Sequence, residues 1–180
     1  MKLLFLIILS QAITSCSISK VANHQRATAS SSILLNGSET FIENVNRAFV
    51  ELEALPPQYL KFIKEHVKII EESNVSGMHV ADSPTRLELS LISCPESNIK
   101  WCASVLYHEA WHVWLYRQKK AFSGKQAERF CNLKQLDLLK KMGAAESTIK
   151  HLKEVLANGD HSDLDGDGDY DQDDYDLRDW

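Results

Sequence analysis

The sequence predicts an α+β domain, mainly helical, with a short sheet next to one central helix. Three observations carry this expectation. Apolar residues recur at helical spacing in five segments, a stretch between residues 77 and 93 alternates with period two instead, and no internal repeat is present. Seven Gly and four Pro among 180 residues, with 44% hydrophobic content, exclude collagen-like or low-complexity chains, and the length suits one domain with appendages.

The domain is expected over residues 38–158. Within 38–55, Phe41, Val45, Phe49 and Leu52 form one helical stripe, ended by Pro56-Pro57. Tyr59, Ile63, Val67 and Ile70 continue the spacing and predict a second helix running to about residue 73. Both stripes read as core packing. Residues 77–81 and 86–93 are strand candidates around the turn Asp82-Ser83-Pro84, because Leu87, Leu89 and Leu91 alternate. Three more helices are predicted over 98–119, 123–142 and 145–158, with Gly143 placed to cap the second of them.

The flanks read differently. Met1-Lys2, the apolar run 3–9 and the small residues up to Cys16 have the form of an export signal, with a run too short to span a bilayer. Ile13-Thr14-Ser15-Cys16 resembles the bacterial lipobox, which implies a signal peptide over 1–16, lipid on Cys16, export and an anchor in the bacterial envelope, with outer-membrane sorting suggested by Ser17. The Ser/Ala/Asn-rich stretch 17–37 then reads as a flexible tether. Formal charge is −5 overall, but residues 160–180 carry ten Asp against one Arg, so residues 1–159 are left at +4. No Lys/Arg block is dense enough to predict a nucleic-acid partner, and no transmembrane helix is expected.

The chemistry lies in Tyr107-His108-Glu109-Ala110-Trp111-His112, an H-E-x-x-H motif in a helical, apolar context. Four residues make about one turn, so both imidazoles project from one face and can grip one ion. Glu109 starts about 100° around the helix and can still reach water at that ion. A hydrolytic zinc site needs a third protein ligand and an open fourth position. The residue six beyond His112 is Gln118, which excludes the metzincin pattern. If the helix turns through residues 121–124 and runs back, Glu128 returns to the level of His112, at about 1.5 Å per residue. Glu128, Cys131, Asn132 and Gln135 then form a polar stripe facing the motif helix, beside apolar Phe130, Leu133 and Leu136.

On these residues the chain resembles the gluzincin-type zinc metallopeptidases over roughly residues 75–142. The resemblance implies a small zincin-like domain in which His108, His112 and Glu128 ligate Zn²⁺. Glu109 would act as base toward the attacking water and then give the proton to the leaving amine. It also implies a peptide or protein substrate lying extended along an edge strand, for which 86–93 is the candidate. His151 is the candidate oxyanion stabiliser, with Tyr107 and Tyr116 as alternatives. The domain is small for such enzymes, so no deep cleft is expected.

Cys94 and Cys102 flank a short loop before the motif helix and form a candidate disulfide, while Cys131 is either a thiol beside the metal or the true partner of Cys102. Over 159–180 the acidic tail places Asp163, Asp165, Asp167, Asp169, Asp171 and Asp174 at loop positions 1, 3, 5, 7, 9 and 12, with Gly168 at position 6. That spacing resembles an EF-hand-like calcium loop of dockerin or thrombospondin type 3 character, implying structural Ca²⁺. Together these readings predict a zinc endopeptidase at the cell envelope. The alternatives are a non-catalytic metal- and calcium-binding lipoprotein that recruits a partner, and a zinc hydrolase of some non-peptide bond.

Overall fold

A computed structural model describes residues 32–158 as five helices and a four-stranded sheet, the mixed α+β class expected. The signal over 1–16 with Cys16, most of the tether, and the Asp163–Asp174 calcium loop lie outside the described residues. The elements are β1 (Leu34–Asn36), α1 (Glu39–Glu53), α2 (Gln58–His66), β2 (Ile69–Glu72), β3 (Gly77–His79), β4 (Arg86–Leu89), α3 (Ile99–Arg117), α4 (Gly124–Lys141) and α5 (Glu146–Asn158). A single 3-10 turn, Glu96–Asn98, leads into α3.

Two boundaries differ from the sequence expectation. Residues 33–36 belong to the domain, not the tether. The apolar run Ile33-Leu34-Leu35 buries Ile33 and Leu35 and pairs β1 in parallel with β2, Leu35 opposite Ile70. The second helix also stops at His66. Val67 is already extended, at φ −108° and ψ 131°, and the β-branched residues Val67, Ile69 and Ile70 enter the sheet. Their helical spacing was coincidental, since Ile70 is buried as a strand residue between β1 and β4.

The strand order is β1-β2-β4-β3, parallel except for β3, which runs antiparallel to β4 with Met78 opposite Leu87. The strand expected at the edge, 86–93, is therefore internal and ends at Leu89. Among the described residues the edge strands are β1 and β3, and β3 is the one that pairs with β4.

Local chemistry sets the helix ends. Ser38 caps α1, its Oγ accepting from Phe41 N at 3.3 Å, and Asn98 caps α3, its side chain accepting from Trp101 N at 3.2 Å. Gly143, at φ +61°, closes α4 as expected. Ala144 N donates to Leu139 O at 3.0 Å and Gly143 N to Lys140 O at 3.1 Å, the Schellman pattern. The same pair of bonds closes α3 around Lys119, which takes the left-handed conformation at φ +56°.

The core forms where α3 packs against α1, α2, α4 and β3. This helix is apolar on nearly every side, as a fully surrounded helix must be, and Leu106, Ala110 and Val113 are completely buried. Among the described residues, no helix is long and apolar enough to cross a membrane.

Gly37 joins the sheet to α1 at a close approach. A Cβ there would lie 2.7 Å from Glu72 Cβ and 2.7 Å from Phe41 Cδ1, and Phe41 is fully buried. Gly37→Ala is expected to destabilise the domain by about 1–3 kcal/mol through overpacking, read as a lower midpoint in urea. An unchanged midpoint would show that the contact relaxes freely.

Candidate metal centre

His108 and His112 sit one turn apart on α3, both buried, and Glu128 reaches them from the antiparallel α4. The two Nε2 atoms are 3.0 Å apart. Glu128 Oε2 lies 3.2 Å from His108 Nε2 and Oε1 lies 3.3 Å from His112 Nε2. The return of the chain through Phe122, Ser123 and Gly124 makes this convergence, as the length argument for Glu128 requires. Nitrogen and oxygen donors placed tetrahedrally around zinc are about 3.3–3.4 Å apart. The N···N separation and the N···O separation to each of the two Glu128 oxygens fall at or just inside that value.

The protonation pattern points the same way. His112 Nδ1 lies 2.6 Å from Phe122 O. A carbonyl can only accept, so Nδ1 carries a proton and Nε2 is the ring nitrogen turned to the convergence point. Two ring nitrogens facing each other at 3.0 Å need a proton or a cation between them. Burial acts to lower the His108 pKa, but the hydrogen bond and charge of Glu128, then Glu109 and Gln135, outweigh it, and the net displacement is upward. Metal and proton compete for the same imidazole nitrogen, so metal affinity falls on acidification.

Cys131, one turn after Glu128, is also buried. His108, His112 and Cys131 offer ligand atoms that all lie within 4.8 Å of one another, a buried group that could hold a metal ion. Burial raises the thiol pKa, and the charges of Glu128 and Glu109 raise it further, so the group is a neutral thiol in the metal-free chain. Cys131 is the free cysteine among the described residues, because Cys94 and Cys102 form the expected disulfide. Asn44 Nδ2 donates to Cys94 O at 2.9 Å and ties the same loop to α1.

Around this centre is a cleft of about 260 Å³. Glu109, half-buried, lines it beside the two histidines, and Gly77 and Met78 of β3 form part of the opposite wall. The stripe expected on α4 is present, with Asn132 and Gln135 lining the cleft and nearly fully buried. Gln135 Nε2 donates to Ser104 Oγ at 3.1 Å, which fixes its amide in the wall of the cleft that His108 also lines. Gln135→Leu is expected to lower metal affinity by about ten- to a hundredfold, measured by competition with a chromogenic chelator, because it removes a polar group from the cleft wall shared with the candidate donors. An unchanged affinity would assign Gln135 to packing.

His151 is not at this centre. It packs edge-on to Trp101 with ring centroids 5.8 Å apart, and lines a separate groove with Ile92, Pro95 and Thr148. Trp101 stands between the groove and the cleft, lining both, so His151 does not serve as an oxyanion group there. Neither tyrosine alternative lines the cleft. Tyr107 packs on Tyr59 and Phe62, and Tyr116 packs on Phe122.

A cluster of hydroxyls went unanticipated. Ser76 Oγ donates to Ser93 Oγ at 2.9 Å and accepts from Ser90 N at 3.0 Å, and Ser76 and Ser93 line the cleft. These bonds pin the start of β3 to the loop after β4. No spacing or motif marks three serines as neighbours, so the sequence carries no signal for them.

Comparison with known proteins finds no family model that matches the chain, and no curated protein or solved structure that matches it significantly.

Proposed function

We propose that this chain is a zinc-dependent endopeptidase that hydrolyses extended peptide at the bacterial cell envelope. The observation that carries the reading is the convergence of two imidazoles and one carboxylate at 3.0–3.3 Å, on a helix whose next residue after the first histidine is a glutamate facing the same cleft. His108, His112 and Glu128 hold the ion. Bound there, zinc supplies Lewis acidity toward a peptide carbonyl and lowers the pKa of water. Glu109 takes the proton from the attacking water and delivers it to the leaving amine.

The substrate main chain adds to the free edge of β3, which borders the cleft at Gly77 and Met78. A cleft this small accommodates a side chain or two near the scissile bond, so cleavage selectivity is broad. Cys16 carries a lipid that holds the enzyme at the membrane, and the Asp163–Asp174 loop takes Ca²⁺ as a structural ion.

The test is cleavage of casein by the full chain in mild detergent. Activity lost on chelation and restored by one equivalent of zinc supports the reading. Full activity in the presence of chelator contradicts it. One observation favours the non-catalytic alternative: a buried thiol beside the histidines could fill the position that a hydrolytic site keeps open.

A further inference from the structure

We propose that Cys131 is a fourth protein ligand held in reserve, its Sγ closing the metal site at rest and leaving it when water or substrate enters. The inference rests on the metal reading above. Cys131 follows Glu128 by three residues on α4, so both side chains emerge on the face turned toward α3. Its sulfur and the two histidine nitrogens already fall within 4.8 Å of one another. A tetrahedral zinc site with sulfur needs about 3.6 Å between sulfur and nitrogen, so the gap to close is at most about 1.2 Å, within the sweep of one side-chain rotation.

Cys131 is buried in a small apolar cluster with Leu115 and Ala127, against which Trp111, Trp114 and Phe130 pack. The residue has no solvent-exposed surface, and the disulfide partners it could have had are bonded to each other. Thiolate is a preferred zinc donor, and a set of four protein ligands defines a closed site where three define an open one. The step would be a ligand exchange without redox change: as sulfur bound, the displaced water would carry the thiol proton away through the cleft, and water returning to the ion would give a proton back to the departing sulfur. Such a site alternates between a latent form and an open form by moving one side chain.

The experiment loads the full chain, in mild detergent, with Co²⁺ and records its near-ultraviolet spectrum beside Cys131→Ser and Cys131→Ala, with cobalt counted by elemental analysis. The expected result is a thiolate-to-cobalt charge-transfer band in the wild type, lost in both variants while each keeps one cobalt per chain. One cobalt per wild-type chain with no such band overturns the proposal and leaves the metal reading standing, and it needs no variant to fold. Cobalt missing from both folded variants overturns the reserve role, because a dispensable ligand cannot be essential for binding. No cobalt in the wild type overturns both the proposal and the metal reading.

Discussion

Glu109→Gln is expected to lower peptide turnover by about 10²–10⁴-fold while leaving one metal per chain, since that is the range a positioned general base contributes. The substitution keeps the shape of the side chain and removes only its basicity. Glu109 follows His108 on α3 and lines the cleft, but it is not among the atoms that converge at 3.0–3.3 Å, so the ligand set survives its loss. The amide can still hydrogen-bond water but cannot accept its proton. Parallel measurement of metal content and the rate of casein cleavage separates the two roles. Retained metal with retained turnover would leave a metal-binding protein whose hydrolysis, if any, uses another base. Lost metal would place Glu109 in the ligand set instead.

Glu128→Ala should have the larger effect on binding. It removes the anion that lies 3.2 and 3.3 Å from the two imidazoles and leaves the two histidines with the Cys131 thiol as the remaining donor within reach. Metal content is expected to fall from one per chain to near zero after gel filtration, with turnover lost in step. The loss also reaches stability. A ligand present at a thousand times its Kd stabilises a fold by about 4 kcal/mol, so chelation should lower the wild-type melting temperature and leave that of Glu128→Ala unchanged. A variant that keeps its metal would transfer the third-ligand role to Cys131, the other donor within reach.

How much of this was legible follows from the range over which each signal acts. The motif histidines and Glu128 were readable because helical rise and turn length are nearly constant, so a helix pair with a short connection fixes which residues face each other. The cap at Gly143 was readable because a left-handed residue after a helix is a local demand. Strand order was not local. Val67 and Ile70 fit a helical stripe by spacing, and only the pairing of β2 between β1 and β4 decides that they are strand. The same limit moved the edge strand from 86–93 to β3, and put β1 inside what composition alone read as tether. His151 failed for a related reason. Its helix was placed correctly along the chain, but which side of Trp101 it packs on depends on tertiary packing that no spacing encodes.

His108, His112 and Glu128 are proposed to hold one zinc ion, and elemental analysis of the purified chain decides it. The full chain, purified at neutral pH without chelator and equilibrated with sub-stoichiometric competing metals, should contain one zinc per molecule that His112→Ala abolishes. Wild-type protein free of zinc, and unable to take it up when it is supplied, would contradict the claim and leave the three side chains as a buried ion-pair cluster.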